Sequence, residues 1–426
     1  MLNLLANVTL NLDGAYISLF YLALMILVGL LFGKIAERLN LPEVTGYIVA
    51  GMLLSGVGLI THEQILKLDV VTNIALGFIT FQLGTLLWWP KVKARLKEVL
   101  LVLGFEIIFV MGFTIGLFML FNQPVWRALI IAAISVATAA APVIEITKKH
   151  RSKGPVTDTL YSVVGLDNVI GVVVFLFTLV IAVNLKDDTA ITAAEIIEPL
   201  KNIGLAILLG IMLSLVMSYA QHHLFTRFER HAKHEMYLVF SVSFVLSATV
   251  GSILLGVPYV ITTFVLGFIF TNRIDKPTYK FETLTVDEFI PPLFIAFFVI
   301  AGAELSISML VQYGFFAILY AIGHASGKLL AGYLGTRLTH PQTVVKRYLP
   351  TSILTQGGIE IGLATIAVIA LDDPKIKSVI LTAVLIFEFF APLLMRRSLN
   401  FAGELREFHG KCDPVSIPTD HPARHH

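Results

Sequence analysis

Thirteen apolar runs, each of about the 17–25 residues that a bilayer crossing requires, constrain this chain more than any other feature. Their approximate limits are 15–33, 43–60, 70–88, 98–121, 124–146, 157–183, 199–225, 236–255, 257–272, 290–311, 313–336, 348–370 and 376–395. Short polar loops separate them. The 426-residue chain is 56% hydrophobic and only 14% charged, against about 25% charged in a soluble domain. A soluble fold of this length would need polar surface that these residues do not supply. The expectation is an all-α polytopic membrane protein with 13 transmembrane helices.

Loop charge orients the spans. With the N-terminus outside, 24 of the 31 Lys and Arg fall on the cytoplasmic side, in loops such as "GKIAERLN", "KVKARLK" and "KKHRSK". Six fall outside and Lys328 lies within a span. This asymmetry is what the positive-inside rule asks for. It predicts an N-out, C-in protein of the plasma membrane, bacterial or archaeal, with lipid as its surroundings. The N-terminus lacks the basic region of a cleavable signal peptide, so the first span is expected to stay. Residues 1–411 read as one transmembrane unit and 412–426 as a disordered cytoplasmic tail. The single cysteine, Cys412, supports neither a disulfide framework nor a thiolate metal site. A net charge of +2 gives no reason to expect nucleic acid as a partner.

Polar residues inside the spans carry the functional signal, because an aspartate at the centre of a membrane helix costs roughly 2.5–3.5 kcal/mol on insertion scales. Asp167 lies nine residues beyond Asp158, and Lys328 nine before Arg337. At helical rise both sit about 13 Å above the cytoplasmic boundary. Thr138 is ten residues from Lys148 and Gln356 nine from Arg347. Four spans therefore bring a polar residue to one plane.

Two of those spans also carry helix-weakening chemistry. "AISVATAAAPVIEI" contains Pro142, which denies the Thr138 carbonyl its helical partner. "TSILTQGGIEIGLA" contains Gly357 and Gly358, where the helix can unwind. The two spans run in opposite directions through the membrane. Interrupted helices in inverted orientation, beside ionisable residues, point to the binding site of a secondary transporter. Gln356, Glu360 and Ser135 form a second tier. Glu106 and Glu388 also fall within apolar spans, His324 reads as a packing or hydrogen-bonding residue, and Glu145 and Glu235 as solvated helix-end acids. No nucleotide loop, metal-ligand cluster or nucleophile motif is present, so neither an enzyme nor a cofactor is expected.

From about Gly33 to Glu404 the sequence resembles the monovalent cation:proton antiporters, in the branch of the Kef-type and NapA-like exchangers. The likeness rests on "GKIAERLNLPEVTGYIVAGMLLSGVGL", "ISVATAAAPVIEITKK", "SGKLLAGYLGTRL", "SILTQGGIEIGLA" and "FEFFAPLLMRRSLNFAGEL". It implies a homodimer with a dimerisation domain and a moving core domain, the core including roughly 98–183 and 313–395. It implies inverted repeats with two crossed, broken helices. Thr138 matches the threonine of the unwound segment, Lys328 the lysine that pairs with an aspartate, and Asp167 with Asn168 the two-residue acidic motif. No nucleotide-binding regulatory domain of the kind some relatives carry is found in this chain.

The departure is at Asn168, where many relatives have the ion-binding acid. Three explanations stay open. Asp167 binds the ion; or the role has moved, with Glu360 available; or Asn168 is a substitution that mimics a protonated acid. The expected activity is exchange of Na+ or K+ for H+, the two competing for a monovalent-cation site at Asp167 and Lys328 serving as charge partner. A cation channel, a sodium-coupled solute symporter and a transport-inactive homologue are the rival readings.

Overall fold

The computed structural model describes residues 14–39, 41–225, 230–273, 276–305, 307–339 and 342–405. The tail 412–426, with Cys412, lies outside the described residues, as does the side chain of Glu235. Among the described residues every regular element is a helix. In chain order these are α1 (Gly14–Arg38), α2 (Glu43–Gly56), α3 (His62–Lys67), α4 (Asp69–Leu86), α5 (Trp89–Ala94) and α6 (Leu96–Leu120). There follow α7 (Val125–Ile134), α8 (Ala140–Lys149), α9 (Pro155–Asp187), α10 (Ala193–Phe225), α11 (Arg230–Leu254) and α12 (Tyr259–Arg273). The last are α13 (Lys276–Ala303), α14 (Ile307–Thr339), α15 (Thr343–Ser352), α16 (Gly358–Leu371) and α17 (Pro374–Phe401).

Seven of the described helices are long and apolar enough to cross a membrane by length and composition: α1, α4, α6, α9, α10, α14 and α17. The run over 124–146 is divided between α7 and α8, and the run over 348–370 between α15 and α16. The interruption places Pro142 in the first turn of α8. Backbone N–H groups there have no helical partner in any case, so the proline fits where the break has already occurred.

Close helix packing follows the glycines. On α14, Gly323, Gly327 and Gly335 recur at multiples of four, and a Cβ added at each would strike Thr114, Val110 and Val102 of α6 respectively. These pairings descend α6 as they ascend α14, so the helices are antiparallel with backbones in near contact, the arrangement small residues permit. The same register sets Glu106 opposite Ala331, within a turn of Lys328. On the other side of the molecule, Gly51 of α2 and Gly302 of α13 each press on the opposing backbone.

Polar ties hold the ends of the site-bearing helices. The Glu404 carboxylate accepts the N–H groups of Val156 and Thr157, both at 2.7 Å, and so caps the first turn of α9. Arg127, in the first turn of α7, pairs with Asp373 beyond the end of α16 at 2.6 Å. That contact puts the start of one interrupted helix beside the end of the other, so the two run antiparallel. Lys186 adds a 2.5 Å bond to the Leu371 carbonyl at the C-terminus of α16, where a cation is favoured.

Candidate functional site

The two interruptions meet. The N–H of Ala139 donates to the Thr355 carbonyl at 2.8 Å, and the Thr355 hydroxyl donates to the Ala139 carbonyl at 3.0 Å. Backbone groups freed by one break are thereby satisfied by the other, as backbone buried away from water requires. Four helix ends converge here: the C-termini of α7 and α15 and the N-termini of α8 and α16. Their partial charges are opposite in sign, so the crossing can face both a cation and a carboxylate.

Beside the crossing lies an ion cluster. The Lys328 ammonium donates to Asp167 Oδ2 at 2.8 Å and to Thr138 Oγ1 at 2.7 Å, and lies 3.2 Å from Glu106 Oε2. The Thr138 hydroxyl in turn donates to Asp167 Oδ2. None of these four side chains is exposed. All three ammonium protons therefore have an oxygen to face. The threonine hydroxyl accepts from the lysine and donates to the aspartate, which fixes both.

Sequence reasoning placed Asp167, Lys328 and Thr138 on one plane, and the structure brings them into contact. It did not assign Glu106, the second carboxylate on this lysine. The signal was available, because Glu106 lies nine residues beyond Lys97 in the first turn of its helix. That is the count which singled out Asp167.

Several buried polar atoms in this region have no protein hydrogen-bond partner: Asp167 Oδ1, Glu106 Oε1, and both amide atoms of Asn168. Asn168, one residue from Asp167 on α9, is 1% exposed. Unmatched acceptors at such depth are costly to leave empty. They are also the hard oxygen donors a small monovalent cation takes. Two carboxyl groups, those of Asp167 and Glu106, thus share one ammonium, and with both ionised the cluster is one positive charge short.

The second-tier residues fall elsewhere. Gln356 Nε2 lies 2.7 Å from the Tyr320 hydroxyl and 2.9 Å from His324 Nδ1, and that nitrogen is 2.8 Å from the Ser135 carbonyl. Ser135 and Gln356 thus join a separate polar group on the Tyr320–His324 side of α14, one turn from Lys328. Glu360 turns to its own helix end and accepts the Gly357 N–H at 3.0 Å. It caps α16, half of a capping box, and is not in the lysine cluster. Glu145, expected in solvent, is half-buried.

A cavity of 420 Å³ approaches the crossing between α4, α9, α12, α13 and α16, with Asp69 and Glu304 among its lining residues. Toward the crossing it is bounded by Leu76 and Phe297, side chains that a Cβ on Gly358 would touch at 3.0 and 2.6 Å. At the opposite end of the molecule α8 is tied down. Lys149 reaches Glu37 of α1 at 2.5 Å and Glu43 of α2 at 3.2 Å, and the Tyr47 hydroxyl donates to Glu43 at 2.9 Å.

Comparison with known proteins agrees with this architecture. The structure is similar to that of the sodium proton antiporter MjNhaP1 from Methanocaldococcus jannaschii, with a TM-score of 0.72 and 20% sequence identity. That likeness covers 92% of this chain and 99% of the other. The sequence is also 22% identical over 412 residues to the ammonium/H(+) antiporter subunit AmhT of Alkalihalophilus pseudofirmus, covering 94% of this chain and 97% of that protein. Residues 22–397 match the family described as sodium/hydrogen exchanger, transmembrane. The chain belongs to that family, and so to the membrane-embedded cation:proton antiporters.

Proposed function

We propose that this protein exchanges one monovalent cation for one proton at the Asp167–Glu106–Lys328 cluster. The observation that carries the reading is the charge count, two buried carboxylates against one buried ammonium. Fully ionised, the cluster is one negative charge in excess. A low-dielectric site cannot sustain that excess cheaply. Either a proton on a carboxylate or a cation at Asp167 removes it, and each excludes the other. That competition is the physical requirement for antiport.

Asp167 Oδ1 and the Asn168 side-chain amide oxygen Oδ1, neither with a protein partner, are the ligands assigned to the cation, and the Thr138 hydroxyl holds Asp167 in place. In this reading the acid in the first position of the motif does the binding, and Asn168 serves as a neutral oxygen donor. Because the cluster is neutral in both its proton-loaded and cation-loaded forms, exchange is electroneutral. Thirteen crossings, inverted repeats, an N-out orientation, a homodimer and a core that moves against a dimerisation domain belong to the same proposal.

With the N-terminus outside, the cavity lined by Asp69 and Glu304 opens to the exterior, and the Lys149–Glu37–Glu43 contacts close the cytoplasmic side. The conformation is then outward-facing, with Leu76 and Phe297 between the cavity and the crossing. Glu304 is paired with Lys377 at 2.9 Å, so Asp69 is the acid there that raises the local cation concentration. Ammonium joins sodium and potassium as candidate cargo because the relative from A. pseudofirmus bears it in its name.

The test is reconstitution into proteoliposomes with an imposed pH gradient. Adding sodium or potassium salt outside should dissipate the gradient, without a membrane current, only when the protein is present; with ammonium, whose neutral form crosses lipid unaided, the protein should accelerate dissipation beyond the rate of protein-free vesicles. Cation flow without proton movement would indicate a channel.

A further inference from the structure

A groove of 950 Å³ lies where the last turns of α14 meet α15. Pro350, one of its lining residues, packs on Gly332, where an added Cβ would stand 2.9 Å from the Pro350 Cα. Arg337 of α14 and Lys346 and Arg347 of α15 line the groove, and among the described residues no carboxylate does. Nor does any described carboxylate pair with these three cations. The guanidinium groups rest on rings instead, Arg337 at 4.2 Å over Tyr333 and Arg347 at 5.5 Å over Tyr348. An aromatic face orients a guanidinium and leaves its N–H donors available. The N-terminus of α15 adds to the same field. Its N-cap, Gln342, makes no side-chain cap bond, and no acid stands in its first turn. The unmatched N–H groups of that turn therefore keep their positive end beside Thr343, another lining residue.

Three cations and a helix N-terminus without an acid call for an anion, and guanidinium geometry favours phosphate. The apolar part of the site says which phosphate. Leu329 and Leu330 form the other wall of the groove. Above it, Phe315, Ile318, Ile322, Leu329 and Tyr333 are all exposed and recur at helical spacing on one face of α14. This helix is among those long and apolar enough to cross a membrane. From Leu329 to Ile318 is eleven residues, about 16 Å of helix, which matches the hydrocarbon depth of one leaflet, about 15 Å. Tyr333 stands between strip and cations, at the level where aromatic side chains meet headgroups. A soluble anion would use the charges and leave the strip without a role. A phospholipid uses both.

We propose that this groove binds the headgroup phosphate of an anionic phospholipid, one acyl chain lying along Leu329, Ile322 and Ile318. In the N-out orientation the lipid belongs to the inner leaflet, where basic pockets between helices take such headgroups. Arg337 is nine residues from Lys328, about 13 Å along the helix, so the lipid has no part in holding the transported ion. Its effect is to join two elements. α14 carries Lys328, and α15 leads into the interruption at Gln356 and Gly357. A phosphate shared between Arg337 and the α15 cations holds these helices together, and binding to the folded state alone stabilises it.

The test titrates dioleoylphosphatidylglycerol into the purified full-length protein in neutral detergent and follows thermal unfolding. The unfolding temperature of wild type should rise at concentrations where dioleoylphosphatidylcholine and inorganic phosphate leave it unchanged. Combining Arg337→Gln, Lys346→Gln and Arg347→Gln should weaken the apparent affinity for phosphatidylglycerol at least tenfold. Native mass spectrometry counts the same lipid whatever the lipid-free stability of that variant, which should retain one phosphatidylglycerol fewer per chain. An equal response of wild type and variant, or of wild type to the two lipids, would overturn the site. An equal response to inorganic phosphate would make the groove a soluble-anion site and overturn the lipid assignment. No flux is measured, so a failure of the exchanger reading would leave these results standing.

Discussion

Glu106 and Lys328 lie 3.2 Å apart, fully buried on two helices whose backbones touch along a stripe of small residues. This pair turns the Asp167–Lys328 contact from a balanced ion pair into a cluster with one negative charge to spare. Replacing Glu106 by Gln keeps the shape and removes that excess. Cation-driven proton flux in proteoliposomes should then fall at least tenfold, with the variant as stable to heating in detergent as wild type. Undiminished flux would remove Glu106 from the mechanism.

Lys328→Ala should act on stability as well as on transport. It leaves two carboxylates buried without their counter-ion, and breaking a buried ion pair this way costs about 3–5 kcal/mol. Thermal unfolding in detergent should show a marked loss, and Glu106→Gln added to Lys328→Ala should recover part of it. Simple additivity of the two changes would contradict a shared cluster.

Gly327→Ala tests how Glu106 and Lys328 are brought together. A Cβ there would stand 2.5 Å from the Val110 Cα, and backbone cannot yield as a side chain end would. The helices must separate, and overpacking of this kind costs about 1–3 kcal/mol. Unfolding temperature and flux should drop together. Gly314→Ala, with open space around its position, is the control and should change neither.

Much of the site was legible because a membrane interior leaves polar groups few partners. Counting residues from loop charges put Asp167, Lys328 and Thr138 at one level, and a hydrogen-bonded cluster is the outcome such convergence favours. The interruptions near Pro142 and Gly357 were equally readable, since both residues weaken a helix locally. What depth alone could not supply was side-chain direction. Gln356 shares the level of Asp167, yet its amide turns to Tyr320 and His324. Glu360 follows the Gly-Gly pair closely, and its carboxylate folds back to cap the new helix end. Both outcomes depend on rotation about the broken segment, which spacing does not encode. Glu106 was noted as an acid within an apolar span but given no role, because depth alone does not say which helices face one another.

The most direct test of the account compares wild type, Asp167→Asn and Asn168→Asp for cation-driven proton flux in the same proteoliposomes. With Asp167 as the carrier, wild type exchanges and Asp167→Asn does not, falling to the rate of protein-free vesicles. Unimpaired flux in Asp167→Asn, or activity appearing only in Asn168→Asp, would contradict it.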